Sequence, residues 1–419
     1  MSFNGVMRTS VSGMNAQASR LATTADNIAN ADTVGYKRAS MEFATLVPQT
    51  HTAGYSSGGV LTNARTEVDR QGSLEYTNSI TDLAVNGDGF FIVSDSAGTN
   101  TLTRSGSFTA DPEGRLVNTA GYYLMGYDTI NGTSNVTANG FAGLTPVSVF
   151  DQALRSTPST SGQLHANFPS NDPIVAAADL PSGNTATAEF SGKTSIIAYD
   201  NLGNEVILDV YSAKTAAETW EIAVYDRAAA DPSGGFPYSA GPITTETLDF
   251  DATTGQLTGA STSMLSIAVP SGGTLQLDMS QSSQLATDYI VIDVAVNGNP
   301  PTGVELFEIA SDGTFYASYA NGERVAIARI PLANVISPNN LTVETGNVFR
   351  TSDDSGDVQV GFPGEAGRGS VVSGALEEST VDLATELTTV IEAQRSYTAN
   401  SRVFQTGSEL LDVLVNLSR

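Results

Sequence analysis

The sequence contains no cysteine. A fold held by disulfides, a cysteine nucleophile and a cysteine-ligated zinc site are therefore excluded. No apolar run reaches the roughly 18–20 residues that span a bilayer, so we predict no membrane insertion. The first residues also lack a charged stretch followed by an apolar run and a cleavage site, so no conventional signal peptide is visible.

Residues suited to catalysis or cofactor binding are equally scarce. There is no Gly-x-Ser-x-Gly motif, although a Ser-His-Asp triad without that motif stays open. Two glycine-containing stretches match only part of a nucleotide-binding motif, and one acidic turn lacks the spacing of an EF-hand loop. The two histidines of the chain are His51 and His165. The two partial nucleotide-binding motifs are Gly87-Asp88-Gly89 and Gly192-Lys193-Thr194, and the acidic turn holds Asp353, Asp354 and Asp357. We predict no enzyme, no cofactor and no metal site.

The charge is low in amount and acidic in sign. Charged residues make up 15% of the chain, the net charge is −26, and there are 40 glycines. Residues 1–47 hold four basic and three acidic side chains, and residues 376–419 hold three basic and seven acidic ones, so most of the excess acid lies between. Such a surface repels nucleic acid and anionic membranes. The composition favours β-rich domains with many tight turns.

The amino-terminal end has apolar residues at alternating spacings of four and three, the a/d pattern of a coiled coil. Small polar residues separate them, so the stripe is narrow, and we expect it to pack against neighbouring helices. Two ordinary helices covering a globular core remain the alternative. The predicted self-assembly positions are Met7, Val11, Met14, Ala18, Leu21, Ala25 and Ile28.

The carboxyl-terminal end has a second stripe with a strict seven-residue repeat. Acidic residues crowd its start and arginines come later, which complements a helix dipole. Strict repeats at both ends of one chain favour a shared coiled coil. The predicted self-assembly positions here are Leu376, Leu383, Val390, Tyr397, Phe404 and Leu411, and the stripe is widened by Leu387, Ile391, Leu410, Leu414, Val415 and Leu417.

The middle of the chain has strand signals separated by turn residues, including a hairpin within 83–93. We predict a mixed α and β fold, with long coiled-coil-like terminal helices and two mainly β domains, the outer inserted into the inner. The predicted ranges are a terminal helical domain at 1–30 and 375–419, a linker or hairpin connection at 31–70 and 360–374, an inner β domain at 71–145 and 291–359, and an outer β domain at 146–290.

Three groups of motifs resemble the axial rod and hook proteins of the bacterial flagellum, and the hook proteins in particular. The first group lies in residues 10–17, 25–30 and 33–37. The second lies in 71–74, 83–93, 103–108 and 121–126, and the third in 374–383 and 391–397. Hook subunits carry an additional outer domain that rod subunits lack, so the long β-rich stretch at 146–290 favours the hook.

This resemblance implies a structural subunit that assembles with copies of itself into a flexible curved tube. The tube would act as a universal joint that transmits motor torque from rod to filament in swimming. The implied partners are the distal rod protein, the hook cap, the hook–filament junction protein and the flagellar export apparatus. The implied location is extracellular, in the flagellum, after export without a cleaved signal peptide. A rigid rod or junction subunit, and a secreted β-rich enzyme or adhesin, are the alternatives.

Overall fold

The computed structural model describes residues 3–46, 58–129, 140–149, 154–232, 235–259 and 261–417, so His51 lies outside the described residues. The chain forms two compact units. The first comprises Met1–Gln152, Glu305–Ser318 and Arg324–Arg419, and the second comprises Ala153–Val304 and Tyr319–Glu323.

Two long helices belong to the first unit: α1 (Phe3–Ala29) and α2 (Leu383–Leu417). Asp382 caps the start of α2, because its Oδ1 atom accepts a hydrogen bond from the Thr385 N–H at 2.8 Å. Many hydroxyls in both helices donate to the carbonyl four residues earlier, as Ser10 does to Val6 at 2.9 Å. These internal hydrogen bonds allow small polar residues to occupy helix interiors without outside partners.

The strands that precede the second unit are short. They are β1 (Ala39–Thr45), β2 (Val60–Thr66), β3 (Leu74–Tyr76), β4 (Leu83–Asn86), β5 (Phe90–Ser94), β6 (Asn100–Thr103), β7 (Phe108–Ala110), β8 (Leu116–Asn118), β9 (Tyr123–Asp128) and β10 (Thr145–Pro146). Strands β1 and β2 form an antiparallel hairpin in which Ala39 lies opposite Thr66 and Thr45 opposite Val60.

The second unit contains β11 (Leu154–Thr157), β12 (Ser161–Pro169), β13 (Gly192–Tyr199), β14 (Glu205–Lys214), β15 (Thr219–Asp226), β16 (Thr244–Asp249), β17 (Met264–Ala268), β18 (Thr274–Asp278), β19 (Ser283–Leu285) and β20 (Ile290–Val296). Strands β13 to β16 form an antiparallel meander, and β12 lies at the centre of a second sheet with β17 to β20. Phe168 and the buried Trp220 pack at 5.2 Å between ring centroids in the core that the two sheets share.

Strand β21 (Asn299–Ile309) leads back into the first unit. The remaining strands are β22 (Thr314–Tyr319), β23 (Arg324–Arg329), β24 (Leu332–Asn334), β25 (Thr342–Glu344), β26 (Val348–Arg350), β27 (Gln359–Gly361), β28 (Ser370–Ser373) and β29 (Ala375–Glu377). A sheet runs through β22, β23, β9, β5, β6, β26 and β25. Its core includes Phe90, Ile92, Leu102 and Phe349. Strands β28 and β29 pair with β4 and β3, far earlier in the chain.

Several predicted boundaries are wrong. Residues 375–377 form a strand, and α2 begins only at Leu383, so Leu376 lies opposite Glu75 in β3 and not on a helix. The predicted division at 290/291 cuts through the start of β20, which pairs with β12 of the second unit. Residues 145–147 stay with the first unit, because β10 pairs with β9. The range 360–374, predicted as a linker or hairpin connection, contains β28, which pairs with β4.

Candidate functional site

Helices α1 and α2 pack against each other in antiparallel orientation. Arg20 near the middle of α1 contacts Glu392 of α2, with 3.3 Å between Nη2 and Oε2. Gly13 lies against Asn400, so closely that a Cβ atom on Gly13 would come within 2.9 Å of the Asn400 side chain. The earlier residue in α1, Gly13, contacts the later residue in α2, Asn400, so the two helices run antiparallel.

The buried face of each helix is built from small or polar residues. In α1 the buried side chains are Ser10, Ala16, Thr24 and Asn27, and in α2 they are Glu386 and Ala393. Ser10 and Thr24 satisfy their hydroxyls within their own helix, so they can be buried without a partner on another element. Gly13 has no side chain, so α1 can lie directly against the Asn400 side chain of α2 at that position.

The predicted apolar stripes are only partly covered in the single chain. Met7 is a stripe residue that lies against α2, since a Cβ atom on Gly407 would be 3.4 Å from its side chain. In α1, Val11, Ala18, Leu21 and Ala25 are exposed, and Met7, Met14 and Ile28 are half-buried; in α2, Leu383 and Tyr397 are exposed, and Val390, Phe404 and Leu411 are half-buried. Leu387, Ile391, Val403, Leu410 and Val413 are exposed as well. The large apolar residues among the exposed ones range from 36% exposed for Leu21 to 55% for Leu387. The helix pair thus presents an apolar surface that the other described residues of the chain do not cover.

The β1–β2 hairpin is held to α1 at both ends by two polar side chains. The Asn27 side chain donates to the Ala39 carbonyl at 2.7 Å and accepts from the Ala39 N–H at 3.0 Å. The Ser12 hydroxyl accepts from the Val60 N–H at 2.8 Å and donates to the Val60 carbonyl at 3.0 Å. A two-stranded hairpin is marginally stable alone, so these contacts fix its position.

A buried ionic cluster, which we call the Glu377 cluster, joins the connections of both helices to the inner β strands. It consists of Lys37, Arg104 and Glu377, whose side chains are at most 3% exposed. Glu377 Oε1 lies 2.6 Å from Lys37 Nζ, and its Oε2 lies 3.2 Å from Arg104 Nη1. The Gly72 N–H donates to Glu377 Oε1 at 2.9 Å, and Lys37 Nζ also donates to the Arg70 carbonyl.

Burial sets the electrostatics of the Glu377 cluster. Desolvation lowers the pKa of Lys37, and the same cause lowers the pKa of Arg104, although the nearby Glu377 carboxylate acts to raise both. The Arg104 guanidinium also lies over the Phe90 ring, 5.1 Å from its centroid. Gly35 passes so close to the Arg104–Ser105 backbone that a Cβ atom would lie 2.6 Å from Ser105 N, and its φ is +67°. Only glycine fits this turn without strain.

A second ion pair lies beside the first. Arg38 Nε donates to Glu386 Oε1 at 2.6 Å, and Arg38 Nη1 lies 3.2 Å from Glu67 Oε1. The Arg38 N–H donates to the Thr380 hydroxyl at 2.8 Å. Together these contacts tie the first turn of α2 to the start of the hairpin.

The sequence interpretation used Glu377 and Glu386 only as acidic residues that crowd the start of the carboxyl-terminal helix, and Glu377 instead lies in β29. It gave Lys37, Arg38 and Arg104 no role, although they lie in or beside the motifs that carried the resemblance. Charge was the one sequence feature that could have pointed to the cluster, because the chain has few charged residues. Lys37 and Arg104 lie within glycine-containing motifs, and Glu377 directly follows an apolar pair. Their partners are separated by up to 340 positions, so sequence spacing could not pair them.

The weak catalytic candidates that the structure describes lie on separate elements. His165 lies on β12, with its Nδ1 4.0 Å from Asp293, and Lys193 pairs with Asp209 at 2.9 Å. Asp353, Asp354 and Asp357 are exposed. In the part of the chain that the structure describes, no group of three or more His, Cys, Asp or Glu residues is placed to hold a metal ion. No described helix is long and apolar enough to cross a membrane.

Four family models match consecutive parts of the chain. Residues 7–37 match the flagella basal body rod protein, residues 84–164 the flagellar hook protein FlgE/F/G D1 domain, residues 166–299 the flagellar basal body protein FlaE D2 domain, and residues 372–417 the flagellar basal body rod FlgEFG protein C-terminal region. These matches place the chain in the class of flagellar axial proteins.

Relatives that align over the full length of the chain are flagellar hook proteins. The chain is 46% identical to the flagellar hook protein FlgE of Brucella suis over 419 residues, covering 100% of both chains. It is 31% identical to that of Escherichia coli, covering 97% of this chain and 98% of the relative. A crystal structure of Helicobacter pylori flagellar hook protein FlgE2 aligns with a TM-score of 0.47 and 15% identity, covering 71% of this chain and 98% of that one.

The chain belongs to the flagellar hook protein family. The resemblance stated from the motifs is therefore confirmed, and so is the prediction of a structural, non-enzymatic protein that serves motility. Membership in this family implies self-polymerisation in the hook, association with basal body components, and a location in the flagellum.

Proposed function

We propose that this chain assembles with copies of itself into a flexible curved tube, the hook, which acts as a universal joint between the rod and the filament. The observation that carries the proposal is the helix pair. Its internal contact uses small and polar residues such as Gly13 and Ala393, while large apolar residues such as Leu387 and Ile391 stay about half exposed. A surface of this kind marks a site of protein–protein contact.

The apolar surface of the helix pair fits contacts that are individually weak and many times repeated. Covering the exposed half of one such side chain contributes about 1 kcal/mol, half the value for a fully buried one. The self-assembly positions we propose are Met7, Val11, Met14, Ala18, Leu21, Ala25, Ile28, Leu383, Val390, Tyr397, Phe404 and Leu411. Leu376 is no longer among them, because it lies in β29.

We assign the second unit the role of tuning the shape of the tube. It has its own core around Trp220 and Phe168. The unit consists of residues 153–304 together with the short segment 319–323. In domain terms, an outer β domain is inserted into the inner one, and contacts between outer domains select among nearly equal spacings of the subunits. The energetic bias needed is a few kcal/mol or less per subunit.

The partners we propose follow from hook function. They are the distal rod protein at one end, the hook cap during growth, the hook–filament junction protein at the other end, and the flagellar export apparatus, which would deliver the chain outside the cell without a cleaved signal peptide. Nucleic acid and membrane insertion play no part in this proposal.

Electron microscopy of the purified polymer tests the function. We expect curved tubes; straight short rods would favour a rigid rod or junction subunit. Replacing residues 154–304 with a short Gly/Ser linker should leave tubes that form but lose their normal curvature. Failure to assemble with a folded first unit, or unaltered curvature, would contradict the role of the second unit.

A further inference from the structure

Two arginines on the outer side of α2 have no partner within their own chain. Arg395 and Arg402 are exposed, and no described residue accepts a hydrogen bond from their side chains or forms an ion pair with them. By contrast, the exposed Arg350 pairs with Glu344 of the inner strands. The chain has 45 acidic and 19 basic residues, so carboxylates are abundant, and these two arginines lie where none of them reaches.

Both arginines point away from α1. Asn400 marks the side of α2 that contacts α1, where it lies against Gly13. At about 100° per residue, Arg395 and Arg402 lie roughly 140° and 160° around the helix from Asn400, on the same outer side as Ile391. A neighbouring copy that covers the apolar face around Ile391 also covers these guanidinium groups. It must supply a partner, because desolvating an unpaired charge is costly.

The outer side of α1 and the turn after it carry two carboxylates that also lack an ion pair. Asp26 and Asp32 are exposed, and neither forms an ion pair with another described residue. Asp26 lies thirteen positions after Gly13, so it is roughly 140° around α1 from the side that contacts α2. Asp32 follows in the turn after α1. The helix pair therefore has unpaired arginines on one outer side and unpaired aspartates on the other.

The spacing of the arginines matches that of the aspartates. Arg395 and Arg402 are seven residues apart, and Asp26 and Asp32 are six residues apart, which is roughly 10 Å in each case. Because α1 and α2 are antiparallel, Arg402 can meet Asp26 while Arg395 meets Asp32.

This pairing requires neighbouring copies to be displaced along the helix axis. The contacts between the helices place Asp26 level with the second turn of α2, about 15 residues before Arg402. A displacement of roughly 22 Å therefore brings both charge pairs together. Without it, Arg402 would lie near Arg8 of a neighbouring copy, and like charges across an interface repel.

We propose that Arg395 and Arg402 of one copy bind Asp26 and Asp32 of a neighbouring copy, and that this ionic contact sets the axial displacement between copies. The contact joins unlike surfaces, so it repeats from copy to copy and generates an open helical assembly. It rests on the proposed function, because it needs a polymer. It adds the register between copies, which the apolar face alone does not define.

Assembly thresholds, measured by sedimentation of polymer, test the contact. Arg402→Glu and Asp26→Arg should each raise the threshold about tenfold, since each places like charges opposite each other. A weaker α1 would not explain the effect of Asp26→Arg, because a cation near the carboxyl end of a helix is favourable. The matched control is Arg350→Glu, at an arginine that has its partner in its own chain. Its threshold should stay within about twofold of the wild type.

A charge swap separates a contact between copies from other effects. Arg402→Glu combined with Asp26→Arg should return the threshold close to that of the wild type. The two positions lie on opposite sides of one helix pair and roughly 22 Å apart along it, so they do not compensate within one copy. Arg402→Glu combined with Asp353→Arg restores the same net charge at an exposed residue outside the helices, and it should stay impaired.

Three results would overturn the proposal. They are a wild-type threshold for Arg402→Glu, a charge swap that assembles no better than Arg402→Glu alone, and equal rescue by Asp353→Arg. A wild-type chain that forms no tubes would instead contradict the proposed function, so the two failures are distinguishable.

Discussion

The substitution Ile391→Asp tests whether the exposed face of α2 drives assembly. Ile391 is 51% exposed in the single chain, so the change should alter monomer stability by about 0.5 kcal/mol or less. In a polymer that covers this side chain, the loss includes about 1 kcal/mol of apolar burial and a further ~2 kcal/mol or more for desolvating a polar group. A loss of about 3 kcal/mol per contact raises the concentration needed for assembly about a hundredfold.

The matched control is Ile336→Asp, which makes the same chemical change at a residue that is 77% exposed and lies outside both helices. Sedimentation of polymer from defined total concentrations gives the assembly threshold. Circular dichroism and the fluorescence of Trp220, the single tryptophan, verify folding. The reasoning is refuted if Ile391→Asp assembles at the wild-type threshold, or if Ile336→Asp raises the threshold equally.

Two further predictions concern positions inside each unit. Asn27→Asp keeps the size of the side chain but cannot donate to the Ala39 carbonyl, so the hairpin amides should exchange about tenfold faster or more; Asn30→Asp is the control, and equal exchange in both would count against the contact. Burial acts to raise the pKa of Asp209, but hydrogen bonds from Ser195, Lys193 and Tyr238 outweigh it and hold that pKa below its usual value. The stability that Asp209 contributes to the second unit is therefore complete above pH ~4 and is lost as the pH falls through the lowered pKa. Thermal unfolding followed by Trp220 fluorescence should be measured from about pH 5 to 2.5. We expect the melting temperature of Asp209→Asn to fall less with decreasing pH than that of the wild type, and parallel falls would disprove this.

The helices illustrate what the sequence could reveal. Their existence at both ends followed from periodicity, and the described parts of α1 and α2 agree. The partner of each face did not follow, because a heptad pattern assigns the closest contact to the largest apolar residues. In this chain the most buried positions of the two helices include small residues such as Ala16 and Ala393, and Gly13 lies against the Asn400 side chain, while stripe residues such as Leu21 and Leu383 stay exposed.

The errors in the β region have a shared cause in long-range pairing. Leu376 continued the seven-residue repeat, yet strand β29 pairs with β3, about 300 positions earlier in the chain. All of β20 after Ile290 was placed outside the outer domain, because its partner β12 lies more than 100 positions earlier. The Glu377 cluster depends on the same kind of long-range contact, and local patterns do not contain that information.

Labelling of a single cysteine tests the central claim most directly, since the chain has no cysteine of its own. Ile391→Cys should react readily with a maleimide in the monomer, as should Leu202→Cys, whose position is 74% exposed. After assembly into tubes, the account predicts that labelling of Ile391→Cys slows about tenfold or more, because neighbouring copies cover the apolar face of α2. Equal labelling rates for Ile391→Cys in monomer and tube would contradict it.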